Sequence, residues 1–287
     1  MARNLQSQSF VRKQRIKIWA SGVVVVLVCM LLIYGTSWIT YAHFMAIDEV
    51  TVFGADQDIA PMIHDTVMSK LQGSFIGFFS RTNAFLYPSD SIIDTIKASF
   101  PRVLDVTLNR DGLTHLRVTV NQKVPRAIIC ATLPNFDHDI LTLDSNDPCY
   151  FADEHAFLFE HSPGFSGHPY NVYYMPEMSP VGSTTDFVGI YATSTDEFKT
   201  LQAFYDGAQN AGIPVDGVLV KDAGEYELYA STTIIYFNNA ENLVDEKDNL
   251  AAFWKHMVAQ ARADRKPIIF DYIDLRFGSN VFYKLIK

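Results

Sequence analysis

Ser, His and Asp are all present in this chain, so the raw material of a hydrolase triad exists. A working triad also needs a nucleophile that its local backbone holds beside a base. The sequence contains no Gly-x-Ser-x-Gly elbow, no Ser-x-x-Lys, no His-Glu-x-x-His and no Walker loop. These absences argue against an enzyme, and no cofactor or small-molecule substrate is expected. The densest set of metal-type ligands runs from Asp137 to His168. It comprises His138, His155, His161 and His168 near Asp139, Asp144 and Asp153. Zinc sites use short paired spacings of Cys and His. The set as a whole matches no known ligand pattern, so these groups are expected to be loop polar residues without a metal.

Two other pairs merit attention. Cys130 and Cys149 flank a turn-rich stretch of 18 residues. They are either two separate buried thiols or, in an oxidising compartment, a disulfide, and the bond is the expectation. Asp274 and Arg276 sit two apart in a strand-like run. Alternation sends both to one face, with Ile273, Leu275 and Phe277 on the other. The last run, Val281-Phe282-Tyr283-Lys284-Leu285-Ile286, is apolar on both faces. As an uncovered edge it would be an aggregation hazard unless another chain paired with it, which would make it a strand-addition site. Alternatively, it lies mid-sheet, covered on both sides.

The elements that would position these residues follow from periodicity and punctuation. A strand is expected over Ile47–Phe53, ending at Gly54. A helix capped by Asp58 carries Pro61 in its first turn, then Ile63, Val67 and Leu71, and stops at Gly73. A Phe-rich loop follows (Phe75, Phe78, Phe79, Phe85). A second helix starts at Ser89 or Ser91 and presents Ile92, Ile96 and Phe100. Strands Val103–Asn109 and Leu116–Val120 flank an Asp111-Gly112 turn. The order β-α-α-β-β fits a three-stranded sheet with two helices on one face. Beyond it, hairpins are expected over Ile128–Phe159. A capping box at Ser194 and Glu197 opens a helix bearing Phe198, Leu201, Tyr205 and Ala208. Strands Val215–Lys221, Tyr226–Ala230 and Ile234–Phe237 come next. A helix over Asp245–Ala263 presents Leu250, Phe253, Trp254, Met257 and Ala261. A hairpin, Ile269–Phe277 and Val281–Ile286, follows. This module reads as α+β with a mostly antiparallel sheet.

Charge and hydropathy divide the 287 residues further. Residues 1–42 hold five of the 23 basic residues and no acidic one, leaving 18 basic against all 32 acidic residues in the remainder. So acidic a domain repels nucleic acid. No Lys, Arg, Asp or Glu occurs from Ile18 to Ile47, and Trp19 and Trp38 flank the apolar centre. The 19 residue steps from Trp19 to Trp38 rise about 28 Å as a helix, close to a bilayer's hydrocarbon thickness. Basic flanks stay cytoplasmic, so residues 45–287 are expected outside the cell membrane. A cleaved signal peptide would have a shorter apolar core, and Thr40-Tyr41-Ala42-His43-Phe44 is a poor cleavage site. An uncleaved anchor is therefore expected, with Cys29 as a small apolar residue inside it.

The whole chain then resembles the FtsQ/DivIB family of bacterial cell-division proteins. Three stretches carry the resemblance: Ile47 to Gly54; Ile96 through Phe100-Pro101-Arg102-Val103, Val106 and Arg110 to Leu116–Val120, with Lys123 and Pro125 after it; and Ile273-Asp274-Leu275-Arg276-Phe277. Tyr150-Phe151-Ala152-Asp153 looks like the family's entry into its β domain. Gln122 stands where the family usually has Glu. The resemblance implies a cytoplasmic tail (1–17), a transmembrane helix (18–44), a POTRA domain (45–125) and a C-terminal β domain (126–287). It implies a non-enzymatic scaffold at the division septum. That scaffold binds small bitopic coiled-coil partners of the FtsL and FtsB/DivIC types and helps to control septal peptidoglycan synthesis. The family's strand-addition site maps onto Arg276, Phe277, Val281, Phe282 and Tyr283. A membrane-anchored envelope enzyme and a POTRA-bearing export or spore-channel component are the rival readings.

Overall fold

A computed structural model describes residues 8–133, 148–164, 169–178, 186–221, 224–238, 243–266 and 268–286. The chain divides into two compact units, Met1–Gln122 and Lys123–Lys287.

The first unit begins with helix α1 (Gln8–Thr40). Its stretch Lys17–Thr40 has a mean hydropathy of 2.4 and is long and apolar enough to cross a membrane. The large apolar side chains from Val23 to Ile33 stand outward, as a lipid environment would favour. This helix is compatible with a single-pass membrane protein. A turn of 3-10 helix at His43–Met45 leads into β1 (Glu49–Phe53). Helix α2 (Ala60–Leu71) follows, then a small hairpin of β2 (Ser74–Phe75) and β3 (Phe79–Ser80), helix α3 (Ser89–Ser99), β4 (Val103–Asp111) and β5 (His115–Gln122).

The sheet order is β1-β5-β4, with β1 parallel to β5 and β4 antiparallel to it. Ile63, Val67 and Leu71 of α2 and Ile92 and Ile96 of α3 pack with Val50, Val106, Leu116, Val118 and Val120 in one core. The fourfold spacing on α2 thus does what it signals. Asp58 does not cap that helix. The first helical turn is held by the Asp56 carbonyl, which accepts from the Ile59 and Ala60 N–H groups, and the Asp58 carboxylate lies 3.8 Å from Arg102. Gly54 ends β1 at φ +79, where a Cβ would stand 2.2 Å from the Val120 carbonyl oxygen, so only glycine fits.

In the second unit, nine strands among the described residues form one sheet. They are β6 (Ala127–Cys130), β7 (Cys149–Ala152), β8 (Leu158–His161), β9 (Asn171–Tyr174), β10 (Gly217–Val220), β11 (Glu225–Ala230), β12 (Thr233–Asn238), β13 (Phe270–Phe277) and β14 (Asn280–Leu285). The spatial order is β14-β13-β12-β11-β10-β9-β6-β7-β8. Helix α4 (Thr195–Asn210) connects β9 to β10, and α5 (Leu243–Asp264) connects β12 to β13. Both crossovers join parallel neighbours, and β6 is also parallel to β9. The sheet is therefore more mixed than expected, because a strand–helix–strand connection returns the chain in its original direction.

Phe198, Leu201, Phe204, Tyr205 and Ala208 of α4 share a core with Leu250 and Met257 of α5 and with Tyr226, Leu228, Ile235, Phe237, Ile273 and Leu275 of the sheet. Half of the capping box forms: Ser194 Oγ accepts from the Glu197 N–H at 3.3 Å. The Glu197 carboxylate turns instead to the Thr193 and Tyr226 hydroxyls.

Candidate partner-binding strand

The β13–β14 hairpin turns at Gly278, with φ +69. Ile273 and Leu275 point into the core and are essentially inaccessible. Asp274 and Arg276 share the opposite face, as alternation predicts, and they bind each other. Arg276 Nε lies 3.0 Å from Asp274 Oδ1 and its Nη2 lies 2.8 Å from Oδ2, while the Arg276 N–H also donates to Oδ1. This fork is the geometry in which guanidinium–carboxylate pairs are strongest. Arg276 further lies 3.5 Å from Glu225 and 5.1 Å over the Tyr236 ring. Burial works against ionising Asp274, but the hydrogen bonds and charge of Arg276 outweigh it and hold the carboxyl below its usual range. The bonded carboxylate raises Arg276 in turn.

Phe277 leaves the core pattern and is 59% exposed. The register shifts between Asp274 and Phe277 just before the turn, which releases that side chain from the inward face.

Among the described residues β14 pairs only with β13 and forms one edge of the sheet. Phe282 and Tyr283, which point to opposite faces, are 52% and 46% exposed. Tyr283 leans toward α5, its ring 5.2 Å from Phe253 and 5.9 Å from Phe270. Phe282 meets Phe277 edge-on at 5.4 Å on the other side. Leu285 and Ile286 extend the exposed apolar strip, and Val281 is half-buried. Lys284 is the strip's only charge and is held 2.6 Å from Asp271, a bond that raises its pKa. Beside the strand, Trp254, Met257, Val258, Ala261, Ile268 and Phe270 line a shallow apolar depression. The arrangement offers a row of backbone groups with aromatic side chains above and below, which suits an added strand.

Cys130 and Cys149 are directly opposed in the β6–β7 pair and are disulfide-bonded. Asp153 accepts a 2.6 Å contact from Lys123 and the N–H groups of His155 and Phe157, so it orders a turn. His161 pairs with Asp186 at 3.3 Å and His155 with Glu154 at 3.5 Å. His138, Asp139, Asp144 and His168 lie outside the described residues. Among the described residues no three metal-type ligands converge.

Sequence reasoning passed over one group next to this site. Glu246 on α5 is 2% exposed and accepts from the Asn238 N–H at 3.3 Å. Burial pushes its carboxyl up to about 7, against that hydrogen bond and with help from the Asp274 charge. The signal was in the spacing: Glu246, Leu250, Phe253 and Met257 fall on one helical stripe, so an acid occupies a core position.

No protein-family model matches the chain, and no curated protein matches it.

Proposed function

We propose that this protein is a non-enzymatic membrane scaffold of the FtsQ/DivIB type, acting at the division septum. Residues 1–17 lie in the cytoplasm, 18–44 cross the cell membrane, and 45–287 stand outside it. In this reading the sheet β1-β5-β4 with α2 and α3 is the POTRA domain and the nine-stranded unit is the partner-binding β domain. Small bitopic coiled-coil proteins of the FtsL and FtsB/DivIC types dock by adding a strand to β14, and the assembly helps to control septal peptidoglycan synthesis.

The observation that carries the reading is the β14 edge, apolar on both faces but for Lys284 and exposed but for the half-buried Val281. An edge of that kind is an aggregation liability in isolation and a binding surface when a partner covers it. Phe282 and Phe277 then anchor one face of the added strand and Tyr283 the other. Arg276, locked to Asp274, shapes the floor beside them.

The test is affinity capture of the tagged full chain from its own membranes, with fluorescence microscopy of a tagged copy. The reading expects small bitopic proteins with heptad repeats in the eluate, lost on Phe282→Asp, and a band of fluorescence at the division site. Uniform membrane fluorescence together with capture indifferent to Phe282→Asp would remove it.

A further inference from the structure

The tip of the β2–β3 hairpin is poorly suited to water. Ile76 is 89% exposed and Phe78 is 52% exposed. Ile76 also has φ +50, a left-handed conformation that β-branched residues seldom adopt. The side chain is therefore held outward by a backbone that does not favour it. Phe44 and Phe85 on the flanking segments are 61% and 60% exposed. Arg81 at the hairpin base places its guanidinium carbon 5.2 Å from the centre of the Phe75 ring.

Hydrogen bonds fix where this tip stands. Ser37 Oγ donates to the Phe78 carbonyl. The Ser80 N–H donates to Thr40 Oγ1 at 3.4 Å, and Asn83 Nδ2 donates to the Thr40 carbonyl at 3.2 Å. The chain just beyond is tied to the helix exit: Ala84 N–H to the Met45 carbonyl and Ile47 N–H to the Thr82 carbonyl, both at 2.8 Å. Ser37 and Thr40 belong to the apolar stretch Lys17–Thr40 itself. They are separated by only about 5 Å of helix rise, with Trp38 between them. Trp marks the membrane–water boundary, where its amphipathic ring is most stable. The hairpin is thus fastened to the last turn of the spanning helix, at the depth of that boundary. Leu104 provides a contrast. It is 56% exposed in the same unit, but it sits where Val103 pairs with Gln122, at the opposite end of the sheet from the helix exit. A single exposed Leu needs no explanation, whereas an apolar tip bonded to a membrane helix does.

We propose that the β2–β3 hairpin is seated in the lipid surface. Ile76 and Phe78 enter the interfacial layer of the bilayer that α1 crosses, and Arg81 stands level with the phosphates. α1 and the hairpin together hold the first unit against the membrane at two points. The proposal rests on α1 being a membrane span, and the experiment separates the two claims.

The full chain, with Cys29→Ser and its disulfide intact, is reconstituted in phosphatidylcholine–phosphatidylglycerol vesicles. Ile76→Cys, Phe78→Cys, Val26→Cys and Leu104→Cys each carry an environment-sensitive fluorophore. Lipids bearing nitroxides near the headgroup or deep in the acyl chain serve as quenchers. The expected result is quenching of positions 76 and 78 by the shallow nitroxide, of 26 by the deep one, and of 104 by neither. Phe78→Cys guards against a disturbance peculiar to the left-handed position 76. Labels at 76 and 78 that stay in water while 26 is quenched overturn the proposal alone and leave the tip to a protein partner. A label at 26 that also escapes quenching overturns the membrane span and this proposal with it.

Discussion

Arg276 is partly open to a partner on the polar face of the hairpin, yet it is committed to its own chain. Removing it leaves the Asp274 carboxylate, 7% exposed, without its main counter-charge. Breaking a buried pair from one side is more damaging than the pair's net worth. Arg276→Ala is therefore expected to destabilise by about 2 kcal/mol, read as a Tm lowered by roughly 4–8 °C. Phe282→Ala and Tyr283→Ala remove half-exposed rings and should leave Tm nearly unchanged. Their effect belongs to binding, where each should cost about 2 kcal/mol or more, a roughly thirtyfold loss of affinity for the proposed strand-adding partner. Glu246 predicts a pH dependence. Its folded pKa of about 7 lies above the ordinary 4.5, so the folded state holds the extra proton between those values. Stability therefore falls as pH rises from about 4.5 through about 7 and is flat beyond. Glu246→Gln should abolish that slope and raise stability near pH 8 by up to roughly 3 kcal/mol, while changing little near pH 4. Thermal melts of both proteins across that range provide the check. Equal slopes would show that Glu246 is not the titrating group. Asp274, held low, loses its contribution only at more acid pH, so the two effects separate. The Asp274–Arg276 placement was legible in the sequence because alternation alone decides it. The departure of Phe277 was not, because a register shift leaves no compositional trace.

At the scale of elements, the edge strand makes a prediction that side-chain variants cannot. Along an antiparallel edge, successive N–H groups point alternately to the paired strand and to solvent. Proline at one of Val281 and Phe282 removes an outward donor and should weaken partner binding with little change in Tm. Proline at the other breaks the β13–β14 ladder and should lower Tm. Loss of Tm at both positions, or of neither property at either, would contradict a free edge. The Cys130–Cys149 bond closes a sequence separation of 19 residues, and in the chain-entropy picture its reduction should cost about 3 kcal/mol. Non-reducing mass spectrometry and melts with and without reductant measure it. The helices were legible from fourfold apolar spacing, and the hairpins β4–β5 and β13–β14 from their Gly-containing turns. The parallel neighbours β6–β9 and β9–β10 were not, because their contacts join segments far apart in sequence that no local pattern encodes. The β2–β3 hairpin was also missed. Its strands are two residues each, too short for alternation to register, so the segment read only as a Phe-rich loop.

The whole molecule is polarised by charge: a basic stretch before the apolar helix and a strongly acidic remainder. With the basic flank inside, protease added to intact, wall-stripped cells should digest residues 45–287 and spare an N-terminal tag. Protection of the acidic part would reverse the orientation. The central claim, that β14 takes up a strand from a small bitopic protein, has a more direct test in the same membranes. A photoreactive phenylalanine analogue is placed at position 282 of the full chain, the cells are irradiated, and the adduct is identified by mass. The account predicts a covalent adduct with a small single-span protein bearing coiled-coil heptads, and loss of that adduct on Tyr283→Ala. An unadducted chain after irradiation at 282 and again at 283, while the folded protein still captures the same partner, would place the docking site elsewhere and contradict the account.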